Sequence, residues 1–174
     1  MSESSVRGSD VARLLEIVES AEAADDTEFF YSGVLRGLAE LVPCDDLTFQ
    51  LMDLSRRSVQ LLSVEAGEIG ASDTDVDEDP DPEDTALFWA AYWMPGGCSG
   101  GDSPDYTRVE RISDRFGDRE SRSDPMGRYL TDHGVRHEML AAMQPYDCLD
   151  RRLLLFRLSG PEFTDREVGI IKLI

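Results

Sequence analysis

The chain has 174 residues, 41% of them hydrophobic, which is enough to bury one substantial core. Its 36 acidic and 17 basic residues give a formal net charge of −19, which repels both phosphate backbones and anionic lipid surfaces. We therefore do not expect this stretch of chain to bind nucleic acid or a membrane.

Cysteine usage and hydropathy indicate a cytoplasmic protein. Cys44, Cys98 and Cys148 are widely spaced and form no CxxC pair, so we expect reduced thiols and neither a disulfide framework nor a zinc site. No apolar stretch approaches the roughly 20 residues that a membrane-spanning helix needs. Residues 1–8 are polar and predicted to be disordered, whereas residues 9–174 are predicted to form a single domain.

Two amphipathic helices are predicted at the start of this domain. Ser9 or Asp10 can cap the first, and Thr27 can cap the second, which Pro43 ends. The apolar positions of the first helix are Val11, Leu14, Leu15, Val18 and Ala21. Those of the second are Phe29, Phe30, Val34, Leu35, Leu38 and Leu41. Both stripes need a partner surface, so we expect both helices to pack on the rest of the domain.

A β-hairpin is predicted next. Residues 47–53, LTFQLMD, alternate apolar and polar side chains, as a half-buried strand does. Residues 55–57 are predicted to turn the chain into a second strand, residues 58–65.

Residues 68–84 carry nine acidic residues and no basic residue, and they are predicted to form a solvated acidic loop. A calcium site is the alternative, since Asp73, Asp75, Asp77 and Asp84 fall near ligand positions of an EF-hand loop. The match is poor, because Glu78 stands where such a loop requires glycine.

Residues 85–97 are predicted to form an amphipathic helix with an aromatic cluster. Trp89 and Trp93 share one of its faces, which is typical of packing and is also suited to line a ligand cavity. After a glycine-rich connection, TRVERISDRF and SDPMGRYLTDHG are predicted to be short helical or turn-rich segments, the second ending near Gly134.

Two strands and a helix complete the pattern. Residues 135–144 and 151–158 are predicted strands, and Thr164 with Glu167 forms a capping-box pattern for a helix expected to continue to Ile174. The order of helices, hairpin, helical excursion, hairpin and closing helix predicts an α+β fold, an antiparallel sheet flanked by helices.

Four runs of this sequence, FWAAYW, DYTRVERISDRF, MGRYLTDHGVRHEML and LLLFRLSGPEFTDRE, resemble the GAF-like sensory domain of LuxR-type transcriptional regulators. The resemblance covers residues 8–174 and is most specific in GVRHEM and SGPEFTDRE. It implies a GAF/PAS-like sheet with the N- and C-terminal helices packed together, and a helix-turn-helix DNA-binding domain beyond residue 174. The run FTDREVGIIKLI also resembles the first helix of that DNA-binding unit, an alternative that the upstream strand disfavours.

The leading functional hypothesis is a regulatory domain that needs no cofactor and binds a small apolar or aromatic ligand between the sheet and the aromatic helix. The candidate pocket residues are Phe49, Leu51, Trp89, Trp93, Tyr106, Met139 and Met143. The alternative is a structural or protein-interaction domain without a ligand, which forms a homodimer through its first and last helices. The candidate interface residues are Leu14, Val18, Ile171 and Ile174.

An enzyme is not expected, because the sequence has no GxSxG, HExxH or Walker motif. His133 and His137 have the spacing of metal ligands on one helix, but Gly134 is expected to end the helix between them, so no metal site is predicted. Asp45 and Asp46 are expected to disfavour a thiolate at Cys44.

Overall fold

The computed structural model describes residues 6–23, 32–53, 55–65, 67–75, 108–115 and 125–174, together with positions 86 and 89. In chain order, the elements of these ranges are α1 (Gly8–Ala23), α2 (Ser32–Leu41), β1 (Asp46–Asp53), β2 (Ser58–Glu65), β3 (Glu68–Asp75), β4 (Val109–Arg111), α3 (Ile112–Arg115), α4 (Pro125–Asp132), β5 (His137–Tyr146), β6 (Leu149–Arg157) and α5 (Asp165–Ile171).

The six strands form one antiparallel sheet in the order β3-β2-β1-β6-β5-β4. β1 and β6 lie at its centre and pair with each other, so the two predicted hairpins meet along their inner strands. In the first hairpin the Asp53 carboxylate accepts hydrogen bonds from the backbone N–H groups of Ser55 and Arg56, which fixes the predicted turn. The α+β fold predicted from the sequence is confirmed.

One face of the sheet, which we call the helix face, packs on α1, α2 and α5. Because side chains alternate along a strand, odd-numbered residues of β1, β5 and β6 point to this side. The core that they form with the helices is apolar, and its fully buried members include Leu35, Leu38, Phe49, Leu155 and Ile170. Burial of apolar surface on this face is therefore the main stabilising contribution to the fold.

The capping box predicted for α5 is confirmed. Thr164 Oγ1 accepts a hydrogen bond from the Glu167 N–H at 3.3 Å, and the Glu167 carboxylate accepts one from the Thr164 N–H at 2.6 Å. The helix ends at Ile171 rather than continuing to Ile174. Its end tightens, since the N–H groups of Leu173 and Ile174 donate to carbonyls three residues earlier.

An ion pair joins the first and last helices. Arg166 of α5 donates two hydrogen bonds to the buried Asp10 carboxylate of α1, at 2.6 and 3.0 Å. Two parallel bonds of this kind fix orientation as well as distance. The two helices are thus packed together on one side of the sheet, as the resemblance implies.

The two edge strands correct the sequence interpretation. Residues 68–75 form β3, paired with β2 along its whole length, and not the first half of an acidic loop. Hairpin pairing outweighs the low strand propensity of Asp, Glu and Gly, and charged side chains suit an edge strand. Asp73 and Asp75 are therefore extended, which contradicts an EF-hand loop that starts there. Val109–Arg111 form β4, a strand too short to show a periodic pattern.

Other predictions concern residues outside the described ranges. Residues 24–31, with the predicted cap Thr27, lie outside them, as do residues 76–85 and 90–107. Of the predicted disordered segment, residues 1–5 are outside. The prediction is wrong for residues 6–8, because Val6 packs against the core and Gly8 begins α1.

Within the part of the chain that the structure describes, no helix has the length and hydropathy needed to cross a lipid bilayer.

Candidate functional site

The side of the sheet opposite the helix face, which we call the groove face, differs from it in chemistry. Its polar residues follow an alternation that is typical of a solvated surface, yet many of them are buried. The buried polar side chains on this face are Thr48, Gln50, Glu138, Asp150 and Arg152. Burial of polar groups is costly, and groups of this kind are often retained where a site needs them.

A groove of about 460 Å³ lies on this face, between the sheet and α4. Its volume is within the range found for small-molecule pockets. The lining combines acidic, aromatic and aliphatic side chains from Asp45, Asp46, Thr48, Gln50, Leu61, Glu65, Tyr129, Leu130, His133, Val135, Phe156 and Leu158.

Asp46 and Glu65 form an acidic wall of this groove. They are direct partners in the pairing of β1 with β2, which places their Cβ atoms about 5 Å apart. Burial, with a smaller contribution from the Glu65 carboxylate, raises the pKa of Asp46 to about 6, although a hydrogen bond from the Thr48 hydroxyl at 2.9 Å acts to lower it. At neutral pH the Asp46 carboxyl group is therefore ionised, although burial and the Glu65 carboxylate disfavour its charged form.

Gln50 contributes a buried acceptor to the groove. Its side chain is only 7% exposed, and Oε1 has no hydrogen-bond partner among the residues that the structure describes. An unsatisfied buried acceptor costs about 1–3 kcal/mol. A bound molecule with an N–H or O–H group would remove that cost.

The opposite wall is aromatic and comes from α4 and the residue that follows it. The rings of Tyr129 and His133, one helical turn apart, lie 4.2 Å from each other, and His133 Nδ1 is 2.8 Å from the Tyr129 carbonyl oxygen. A carbonyl oxygen only accepts, so Nδ1 carries the proton. Gly134, the second residue after the helix, adopts a positive φ of 71°, which turns the chain back towards the sheet.

The rim of the groove is continuous with the contacts that hold α5. Asp45 and Leu158 both line the groove, and the Leu158 N–H donates to the Asp45 carboxylate at 2.7 Å. Arg157, the residue before Leu158, donates to the Pro43 carbonyl at 2.7 and 3.0 Å and to the Glu167 carboxylate at 2.6 Å. We call the contacts of Arg157 with Pro43 and Glu167 the α5 anchor. The segments 43–46 and 157–158 therefore contribute both to the groove and to the α5 anchor.

The structure separates the predicted pocket residues. Phe49 and Met139 are fully buried on the helix face, and the partly buried Leu51 and Met143 pack against the same core, so these four lie on the side opposite the groove. Trp89 is a half-buried helical position. Trp93 and Tyr106 lie outside the described residues. Ligand binding by this set stays a prediction.

The predicted interface residues are divided between core and surface. Leu14 and Ile171 are buried in the core, whereas Val18 and Ile174 are 41% and 45% exposed. Met143, Ile171 and Ile174 come together in a second cleft of about 530 Å³ beside the end of α5. The lining of this cleft includes no buried unsatisfied polar atom of the described chain, so the groove is the stronger candidate site.

His133, His137 and Cys44 lie in three different environments of the described chain. His133 belongs to the groove, whereas His137 Nδ1 lies 3.0 Å from Glu162 on the helix-face side. No group of three or more His, Cys, Asp or Glu in the described ranges is arranged to hold a metal ion. Burial raises the pKa of Cys44 to about 12, with a further contribution from the Asp46 carboxylate, so its thiol stays protonated.

Sequence reasoning missed Thr48, Gln50, Tyr129 and the acidic wall. The alternation in LTFQLMD correctly places Thr48 and Gln50 on one face, but it is the alternation of a solvated face and gives no sign of burial. Strand pairing of Asp46 with Glu65 could be found from the hairpin register, once the turn at residues 55–57 is recognised.

No protein-family model and no curated protein matches the chain. Among solved structures, the phycoerythrobilin-bound GAF domain of a cyanobacterial phytochrome is similar with a TM-score of 0.59 and 12% identity, over 97% of this chain and 91% of that one. The chromophore-binding domain of Stigmatella aurantiaca phytochrome P1 gives a TM-score of 0.56 and 15% identity, over 97% of this chain and 59% of that one. At these identities the likeness shows a GAF-like fold.

Proposed function

We propose that this chain is the sensory domain of a regulatory protein, and that it binds a small molecule with an aromatic or apolar body in the groove. The observation that carries the proposal is the groove itself, where a buried acceptor on Gln50 and an ionised Asp46 face the aromatic wall of α4. Both polar groups are costly to the folded protein without a ligand. The GAF-like fold supports the proposal, because the similar GAF domains include a bilin-bound one.

The route from ligand to output follows from the anchor of α5. A ligand that displaces Asp45 or Leu158 also moves Pro43 and Arg157, their near neighbours in the chain, and both belong to the α5 anchor. The domain thereby has a path that changes the position of α5 relative to the sheet. The path acts as a switch only if the ligand binds more tightly when α5 is in one of two positions than when it is in the other.

The output we propose is a helix-turn-helix DNA-binding domain attached beyond residue 174. Support comes from the sequence, since SGPEFTDRE and GVRHEM resemble the sensory domains of LuxR-type regulators. With a net charge of −19, the chain described here is suited to sense and not to contact DNA.

Thermal unfolding in the presence of a library of small aromatic and aliphatic metabolites tests the ligand proposal. A ligand at 100 times its dissociation constant stabilises a protein by about 2.7 kcal/mol, which gives a measurable rise in Tm. We expect at least one compound to raise the Tm of the wild type, and the variant Leu61→Trp, which fills the groove, to lose that response. The control variant Tyr146→Trp, at a position that is 70% exposed and outside the groove lining, should keep it. A library without any active compound, or a response that survives in Leu61→Trp, contradicts the proposal.

A homodimer is the second candidate function, alone or together with sensing. Val11, Leu15 and Val18 recur at helical spacing on the outer side of α1 and are 42%, 59% and 41% exposed. Exposed apolar stripes of this kind often mark interaction surfaces. We expect sedimentation equilibrium to give a dimer for the wild type and a monomer for Leu15→Glu. A wild type that is monomeric at high concentration removes this candidate.

A further inference from the structure

Carboxylate oxygens are the most numerous polar side-chain atoms of the groove. Three carboxylates, of Asp45, Asp46 and Glu65, line it, and no Lys or Arg is among its described lining residues. Gln50 adds the buried Oε1 that lacks a partner within the described chain. A molecule that satisfies this set must supply donors, preferably charged ones.

Two of these carboxylates are placed where they repel each other. Asp46 and Glu65 are direct cross-strand partners, a position in which like charges destabilise a sheet. Neither forms an ion pair with another residue of the described ranges, and Asp46 accepts its hydrogen bond from the neutral Thr48 hydroxyl. A cation bound between them would remove the repulsion.

A bare metal ion does not fit this site. Within the described residues, no three acidic, histidine or cysteine side chains are arranged to hold one. The other half of the lining is aromatic and aliphatic, from Tyr129, Phe156, Leu130 and Val135. Aromatic faces attract organic cations, and aliphatic side chains need an apolar body to contact.

From this combination we infer that the groove binds an organic cation, an amine, amidine or guanidine carried on an aromatic or apolar body. The cationic head lies between Asp46 and Glu65, and the body lies against Tyr129 and Phe156. Gln50 lies about 13 Å along β1 from Asp46, so its Oε1 accepts from a donor at the other end of the ligand. This inference rests on the proposed function, because it names the ligand class of the same groove. The net charge of −19 also favours a cationic ligand, since it attracts cations and repels anionic analogues.

Three probes of nearly identical shape separate charge from shape: benzamidine, which is cationic, benzamide, which is neutral, and benzoate, which is anionic. Titration of each into ¹⁵N-labelled protein at pH 7.5, followed by amide chemical shifts, gives both the affinity and the location of binding. We expect benzamidine to bind at least about tenfold more tightly than benzoate, with shifts at Gln50 and Tyr129.

Charge-removing variants complete the test. Asp46→Asn and Glu65→Gln keep the shape of the groove wall and should each weaken benzamidine binding severalfold while leaving benzamide unchanged. Glu19→Gln, an exposed acidic position on α1, changes the net charge equally and should have no effect.

Each contrary outcome has a distinct meaning. If benzamide and benzamidine bind the groove equally in the wild type and in Asp46→Asn, the cation inference is overturned and a small-molecule groove still stands. Tighter binding of benzoate overturns it as well. If none of the probes shifts the groove residues, the inference fails, and the metabolite screen with Leu61→Trp decides separately whether the groove binds anything else.

Discussion

Asp46 is the single residue that connects the stability of the fold to the groove. Its pKa is raised to about 6, above the ordinary value of 3.8, chiefly because burial disfavours the charged form. The folded protein therefore binds this proton more tightly than the unfolded chain does. By linkage, this carboxyl group lowers stability above pH 6, and the loss disappears as the pH falls towards 4.

We predict that Asp46→Asn is more stable than the wild type at pH 7.5, because the asparagine keeps the acceptor for Thr48 without a buried charge. The full shift corresponds to about 3 kcal/mol, which partial exposure reduces to about 1–2 kcal/mol. Urea denaturation at pH 7.5 and at pH 4 measures it. The difference should vanish at the lower pH, and an advantage of the same size at both pH values contradicts the account.

Cys44 gives a second prediction at this scale. Burial and nearby carboxylates raise the pKa of its thiol to about 12, whereas Cys148 is exposed in a turn. We expect iodoacetamide at pH 8 to modify Cys44 on the order of 1000-fold more slowly than Cys148, measured by peptide mass spectrometry. Addition of 8 M urea is the control, since unfolding should equalise the two rates. Equal rates in the folded protein contradict the burial of Cys44.

The lesson of the strand residues is that periodicity shows which side chains share a face and not what covers it. Phe49 and Leu51 are correctly placed on an apolar face by the alternation in β1. Whether that face meets structural helices or a ligand depends on tertiary contacts between elements, which no local pattern contains. The groove consequently lies on the face that sequence reasoning treats as solvated.

Among the elements, α1 and α2 cross at a glycine. A Cβ on Gly37 would lie 2.6 and 2.7 Å from the two γ-carbons of Ile17, closer than real side chains approach. At Gly33, one turn earlier, a Cβ would meet Ala21 Cβ at 3.5 Å, an ordinary contact. Of these two glycines, only Gly37 is therefore required for the close approach of α1 and α2.

We predict that Gly37→Ala destabilises the protein by about 1–3 kcal/mol through overpacking, whereas Gly33→Ala is neutral or stabilising by up to about 1 kcal/mol. In the background Ile17→Ala, which removes the obstructing carbons, Gly37→Ala should become stabilising. Chemical denaturation of the four variants gives this double-mutant comparison. An equal loss from Gly37→Ala in both backgrounds contradicts the packing described here.

α5 is held on the sheet by a buried charge pair. Arg157 donates to two segments, at the Pro43 and Pro161 carbonyls, pairs with Glu167 at 2.6 Å, and lies 4.1 Å above the Phe163 ring. Although burial opposes ionisation of Glu167, hydrogen bonds from Thr164 and Arg157 hold its pKa below the ordinary value. Loss of one partner would leave the other charge buried.

We predict that Arg157→Met destabilises the domain by about 3–5 kcal/mol, because the Glu167 carboxylate stays buried without its cation. The double variant Arg157→Met/Glu167→Gln removes both charges and keeps the capping box, so it should recover part of the loss. Thermal and urea unfolding measure both. A double variant that is less stable than the single one shows that the buried charge is not the cause.

How far the elements could be predicted depends on the strength of their local signals. α5 carries an explicit cap at Thr164 and Glu167, and β2 is bounded by a turn, so both were predictable. β3 depends on pairing with β2 against its own composition, and β4 has only three residues. Tertiary pairing decided these strands, and single-sequence propensity does not contain it.

At the scale of the whole molecule, the two faces of one sheet have separate roles. The helix face buries an apolar core, and the groove face holds buried polar groups beside α4. β1 and β6 contribute side chains to both faces. A movement of side chains on the groove face therefore takes place only one strand's thickness from the face on which α5 packs. We therefore expect ligand binding in the groove to change the position of α5 relative to the sheet.

Amide chemical shifts of the ¹⁵N-labelled domain, recorded with and without the tightest binder from the metabolite screen, test that claim most directly. We expect shifts at the groove residues Thr48, Gln50 and Tyr129, and a second set at Arg157 and Glu167, with little change along the outer side of α1. Shifts that stay within the groove would contradict transmission to α5. Shifts centred on the helix face, around Phe49 and Met139, would contradict the site itself.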